Sequence, residues 1–213
     1  MTTLTTQRLR TNRNTGGFSL FELIVIITVL LILFGMSIAT IGDTSRSIDL
    51  NSASETVAGA LRLARQHATT HNRPVEARFY KYPDFRTPGS EDAYRAVGLF
   101  LIPENATRLS EPLGTAMTLP GDIVASEDKT YSSIIELGKK SVQTRFAVGG
   151  MTNVPYSALT FLPNGATTVG GPRDKLFITL WSEHKALRDD LPPKDFITIQ
   201  VDSLTGGLQV YRP

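Results

Sequence analysis

From Phe18 to Ile41 the chain reads FSLFELIVIITVLLILFGMSIATI, 24 residues with a single charge, Glu22. As a helix rising about 1.5 Å per residue, this run would be about 36 Å long, enough to cross a hydrocarbon core of about 30 Å. No other stretch of the sequence is comparable, so at most one membrane pass is predicted. Arg8, Arg10 and Arg13 precede the run with no acid among them, and Asp43 follows it closely. Arginines stay on the cytoplasmic side, which places the body that follows across the membrane.

Two plain readings compete. One is a cleaved secretory signal, with Leu23–Phe34 as its apolar core and Ser37-Ile38-Ala39 as a small-x-small cleavage site. The other is a simple signal anchor. Neither accounts for Glu22. A charged side chain in a spanning helix costs about 2.5–3.5 kcal/mol at the centre and less near an end, so its presence calls for a reason.

The segment Gly16-Gly17-Phe18-Ser19-Leu20-Phe21-Glu22-Leu23-Ile24 resembles the processing site of type IV prepilins and type II secretion pseudopilins. The resemblance implies that a prepilin peptidase cuts between Gly17 and Phe18 and methylates Phe18. Glu22 matches the family's glutamate four residues past the new terminus. The implied division is a leader at 1–17, a transmembrane and filament-core helix at 18–41, an amphipathic continuation at 42–73 and a periplasmic β-rich domain at 74–213. Other pilins or pseudopilins, an inner-membrane assembly platform and membrane lipid are the implied partners. The sequence departs from the family in Phe21, where Ile or Leu is more usual, in a longer leader, and in the lack of a proline in the helix. Gly35 and Gly42 are then the weak points for bending. Elementary electrostatics agrees with the motif. Cleavage frees an α-amine with a reference pKa of about 7.7–8.0, largely cationic at neutral pH. A glutamate in an apolar setting thereby gains a partner, the amine of its own chain or of a neighbour. Such a pair selects an axial register much as a buried polar residue does in a coiled coil.

Over its whole length the chain is 41% hydrophobic and 20% charged, so its bulk reads as an ordinary folded domain. It has no cysteine, which excludes disulfides, thiolate metal sites and cysteine nucleophiles. After residue 17 there are 19 basic and 20 acidic residues, so the body has no bulk attraction for nucleic acid. Leu50, Ala53, Val57, Leu61, Ala64 and Ala68 recur at spacings of three and four, a stripe predicting an amphipathic helix that ends before Pro74 and packs on a sheet. Strands are predicted at 75–82, 94–102, 142–148, 158–162 and 176–181, with 103–140 read as loop. A hairpin is predicted from 196–201 and 208–211, turned at 203–207. Strand following strand without helices between them predicts an antiparallel sheet, and an α+β fold overall.

Leu61–Val75 resembles the end of the long helix in H-type minor pseudopilins and FimT-like minor pilins. Leu159-Thr160-Phe161-Leu162-Pro163-Asn164-Gly165 resembles their late strand and turn. Asn72–Tyr82 is similar to prepilin-type proteins of the Verru_Chthon cassette protein D group.

Arg62, Arg65, Arg73 and Arg78, with Lys81, cluster in sequence. A solvated basic face is the plain reading, and a DNA-binding surface the alternative. His67 and His71 share a helix face at i, i+4, but zinc needs three or four ligands and His184 is distant, so solvated surface is the expectation and no metal is assigned. Glu91-Asp92 and Asp189-Asp190 lack the ladder of a calcium loop and read as loop charge. No nucleophile elbow, phosphate loop or dinucleotide fingerprint is present. The expected function is structural, not enzymatic, and needs no cofactor. A membrane-tethered DNA- or ligand-binding module that does not polymerise is the alternative.

Overall fold

The computed structural model describes residues 19–103, 110–143, 147–148, 150–169, 175–185 and 192–213. The chain divides into two compact units, Met1–Gly42 and Asp43–Pro213. Helix α1, Leu20–His71, begins in the first and ends in the second.

Ser19 opens α1. Its carbonyl accepts the N–H of Leu23 at 3.1 Å, and its Oγ accepts the N–H of Phe21 at 3.3 Å. That is an N-cap, and Glu22 stands at the third helical position, completing a Ser-x-x-Glu capping sequence. From Leu20 to Phe34 the large apolar side chains are 42–79% exposed on every side of the helix. Thr28 satisfies its own hydroxyl on the Ile24 carbonyl at 2.7 Å, so it adds no unmet polar group. Among the described residues no helix is long and apolar enough to cross a membrane. Side chains of this run are described to Phe34, about 22 Å of rise; those of 35–41 lie outside the described set.

The second unit joins the rest of α1 to a ten-stranded sheet. The strands are β1 (Val75–Tyr82), β2 (Ala93–Leu101), β3 (Glu111–Pro112), β4 (Met117–Thr118), β5 (Ile123–Ala125), β6 (Lys139–Gln143), β7 (Val154–Phe161), β8 (Lys175–Ser182), β9 (Phe196–Asp202) and β10 (Leu208–Tyr211). A short helix α2, Ser133–Leu137, precedes β6. The order is β10-β9-β8-β5-β2-β1-β7-β6, with β3 and β4 also on β2. Every described pairing is antiparallel. The architecture is α+β with an antiparallel sheet, as the sequence predicts.

The stripe on α1 is buried, with Leu50, Ala53, Val57, Leu61, Ala64 and Ala68 each at most 2% exposed, and Ala58 and Ala60 widen it. Small alanines let the helix approach the sheet closely, while Leu61, fully buried, contributes about 1.5–3 kcal/mol. Facing it are Val75, Ala77 and Phe79 of β1, Leu159 and Phe161 of β7, and Ile178 and Ile199 of β8 and β9. The helix closes at Asn72, whose φ of 51° is left-handed, and the Arg73 N–H returns to the Ala68 carbonyl at 3.2 Å. This six-to-one closure satisfies a terminal carbonyl and aims the chain into β1. Arg73 also donates from Nη2 to the Ile102 carbonyl at 3.1 Å.

The other face of β1 is buried too. Tyr80, Tyr82, Ala96, Phe100, Val148, Val154, Tyr156 and Ala158 form a second, smaller core. Residues 103–140, read as loop from sequence, hold β3, β4, β5, α2 and the start of β6. The strand predicted at 142–148 starts earlier, at Lys139, because α2 ends at Leu137 and passes through its cap Gly138 straight into β6; residues 144–146 of that prediction lie outside the described residues. The predicted 158–162 begins earlier, at Val154. Pro155 is accommodated because β1 pairs with β7 only as far as Tyr156, leaving the Pro155 nitrogen no ladder to break on that side.

Candidate functional site: the exposed apolar helix and a basic groove

Gly17 and Phe18 lie outside the described residues. Glu22 lies inside them, exposed, in the first turn of α1. An acid in that position faces the positive end of the helix dipole and favours the helix start. Glu22 is therefore placed among uncovered apolar neighbours, with a local reason to be acidic that sequence reading did not supply.

The arginines that are near one another in sequence are distributed over separate surfaces. Arg62 and Arg65 are exposed on α1. With Gln66, Thr69, Gly206 and Leu208 they line a groove of about 380 Å³ between α1 and the β9–β10 hairpin. Neither guanidinium has an acidic partner among the described residues. The groove wall is closely packed and held by turn hydrogen bonds. Gly206, at φ +63°, sits so tightly that a Cβ there would lie 3.0 Å from Arg65 Cδ and 3.2 Å from the Phe161 ring. Asp202 Oδ1 accepts the Thr205 N–H at 2.8 Å, the Leu204 N–H at 3.0 Å and the Thr205 hydroxyl at 3.0 Å. The Thr205 backbone bond foremost, then its hydroxyl, holds the Asp202 carboxyl below the ordinary carboxylate range. The turn 162–166 docks beside it, since Thr167 donates its N–H to the Ser203 carbonyl at 2.9 Å.

Arg78 does not join this surface. It is 7% exposed, on the opposite face of the sheet, with Nη2 2.7 Å from Glu76 Oε2. Its guanidinium lies over the Phe100 ring at 4.0 Å and the Tyr156 ring at 4.7 Å. This corrects the single basic cluster read from sequence: period-two alternation along β1 puts Arg78 with Glu76 and Tyr80, away from Val75 and the helix. Arg73 is spent on the end of the helix. Lys81 pairs with Glu127 at 2.6 Å.

His67 and His71 stack at 5.1 Å, and His71 Nδ1 lies 3.1 Å from the His67 carbonyl. No group of three or more metal-ligating side chains occurs among the described residues. Glu91 and Asp92 are exposed; Asp189 and Asp190 lie outside the described residues.

Sequence reading missed a second cleft, about 440 Å³, lined by Tyr82, Asp84, Arg86, Arg95, Thr118 and Gly121 among others. Its charges are internally matched. Arg86 holds Asp84 at 3.1 Å, and Arg95 holds Glu183 at 2.5 Å. The Arg86 backbone N–H, then its guanidinium, keeps the Asp84 carboxyl below its usual range. Arg95 and Glu183 stand 88 positions apart, so no local pattern could announce their meeting.

No protein-family model matches the sequence, and no curated protein matches it. Among solved structures, the chain aligns with the type IV minor pilin FimU of Pseudomonas aeruginosa at 15% identity and a TM-score of 0.41, over 77% of this chain and 92% of that one. It also aligns with the minor pseudopilin EpsH of the Vibrio cholerae type 2 secretion system at 11% identity and a TM-score of 0.38, over 75% of this chain and 98% of that one.

Proposed function

We propose that the chain is a structural subunit of a type IV pilus-like or type II secretion pseudopilus filament. The carrying observation is the helix from Leu20 to Phe34, uncovered on all sides, with one acid at its start. A helix apolar all round needs lipid or other helices around it, and a filament subunit meets both in turn. In this reading residues 1–17 are removed by a prepilin peptidase between Gly17 and Phe18, and Phe18 is N-methylated. Helix 18–41 anchors the subunit in the inner membrane, N-terminus cytoplasmic and body periplasmic, and later enters the filament core. Glu22 pairs with the Phe18 amine of a neighbouring subunit, which sets the axial register. An assembly platform and other pilins or pseudopilins complete the partners.

N-terminal sequencing and intact mass of the protein recovered from a host with a prepilin peptidase test this. The expected terminus is methylated Phe18. A terminus at Met1, or one beyond residue 39, overturns the reading.

A second reading, a membrane-tethered DNA- or ligand-binding module, is favoured by one observation: the uncompensated Arg62 and Arg65 of the groove. Crosslinking between copies or to other pilins separates it from filament assembly. Binding of a DNA duplex, lost at high salt and on replacing Arg62 and Arg65, would support it.

A further inference from the structure

Strand β10 is the last in the sheet among the described residues. The Asp202 N–H donates to the Gly207 carbonyl at 2.8 Å, which fixes the phase of the β9–β10 ladder. The register pairs Gln209 with Gln200 and Tyr211 with Thr198. Bonded and non-bonded pairs alternate in an antiparallel ladder. Gln209 and Tyr211 therefore turn their main-chain groups to β9, while Leu208 and Val210 turn theirs outward. Val210 is 46% exposed and Tyr211 49%. Natural sheets shield such edges with lysine, proline or a bulge. At the other end of the sheet, among the described residues, β6 has the sequence Lys-Lys-Ser-Val-Gln, rich in the residue type that natural edges use. β10 is Leu-Gln-Val-Tyr and carries no charge.

The open edge borders the groove. Leu208 belongs to both, and Arg62 and Arg65 face the same space from α1. An open strand edge binds an extended chain through main-chain bonds, while the side chains alongside it choose which chain. Two guanidiniums without acidic partners choose carboxylates. Exposed ion pairs alone contribute little, so the edge must supply the affinity and the arginines the selectivity.

We propose that this groove receives an extended acidic segment of a partner protein, which adds as a strand outside β10 and sets its carboxylates against Arg62 and Arg65. This assignment is independent of the cleavage and anchoring of the N-terminal segment.

The test uses the full chain in detergent and a fluorescent peptide alternating Glu with Val and Thr, read by anisotropy. A peptide with Lys for each Glu is the control. The acidic peptide should bind and the Lys peptide should not. Arg62→Glu with Arg65→Glu should weaken binding at least tenfold. Val210→Pro removes an outward N–H and leaves the β9 ladder intact; it should weaken binding as much, with the melting temperature unchanged. Should Val210→Pro fail to fold, a peptide N-methylated on alternate residues makes the same test from the other side. The proposal is overturned if the acidic peptide does not bind, or if neither Val210→Pro nor peptide N-methylation matters. It is also overturned if a single-stranded DNA competes more tightly than the peptide, or if sedimentation shows that a second copy of the chain occupies the groove.

Discussion

Arg78 reaches back along its own strand to Glu76, and their charges meet at 2.7 Å beneath aromatic rings that exclude water. A buried pair of this kind adds little net stability over an apolar pair, but breaking it is costly because the remaining buried charge loses its opposite at 2.7 Å. Arg78→Met should therefore destabilise the body by about 3–5 kcal/mol, and adding Glu76→Leu should recover most of the loss. Urea unfolding followed by the fluorescence of Trp181, the single tryptophan, measures both. Equal damage from the single and double variants would show that the pair is not the source.

Two glycines should respond in opposite ways to alanine. Gly206 holds φ +63° with no room for a Cβ, whereas Gly59 lies in α1 with nothing within 4 Å of the Cβ position. Gly206→Ala should lose about 2 kcal/mol or more through strain and collision. Gly59→Ala should gain about 0.5–1 kcal/mol by lowering the entropy of the unfolded chain. Thermal melts of the two variants decide it, and a stabilised Gly206→Ala would contradict the described turn.

Alkaline pH should loosen the body. Burial first, then the nearby charges of Glu127 and Glu136, push the Tyr94 hydroxyl from 10.0 up to about 12, and burial raises Tyr80 and Tyr82 as well. The folded state thus holds its phenol protons where the unfolded chain has released them. Stability from Tyr94 is complete below pH 10 and drains away as pH rises through 12, a loss on the order of 2 kcal/mol. Tyr94→Phe should flatten part of that decline in melting temperature against pH. An unchanged profile would mean that Tyr94 ionises freely in the fold.

Glu22→Ala should leave the protein in the membrane fraction while abolishing crosslinks between copies or to other pilins. The substitution removes a charge from an apolar helix, so insertion is eased, and what is lost is the partner proposed for the Phe18 amine. Normal crosslinking of this variant would remove the register role proposed for Glu22.

The helix stripe and β1 were legible because their periods are long and unbroken, and every residue of the stripe from Leu50 to Ala68 is buried. The short strands β3, β4 and β5 were not. Two or three residues carry no period, and β3 and β4 exist because β2 offers them an edge. The candidate site was half legible. Arg62 and Arg65 were read only as members of a larger basic cluster with Arg73, Arg78 and Lys81, and their groove depends on Gly206 and Leu208, some 140 positions away. Arg78 was misjudged for a simple reason. Neighbours in sequence on a strand belong to opposite faces, and alternation from Val75 already separates it from the helix.

The close at Asn72 has a mechanical side. Asn72, Arg73 and Pro74 alone separate the end of α1 at His71 from the start of β1 at Val75. Arg73 pins that joint twice, by its main chain to Ala68 and by its side chain to Ile102. There is no slack in it. Tension drawn through the helix of the body arrives on a strand zipped along both sides, to β2 and to β7, and both ladders must shear before it yields. The outlying β9–β10 hairpin shares no ladder with β1, so a strand added outside β10 would leave both of those ladders paired.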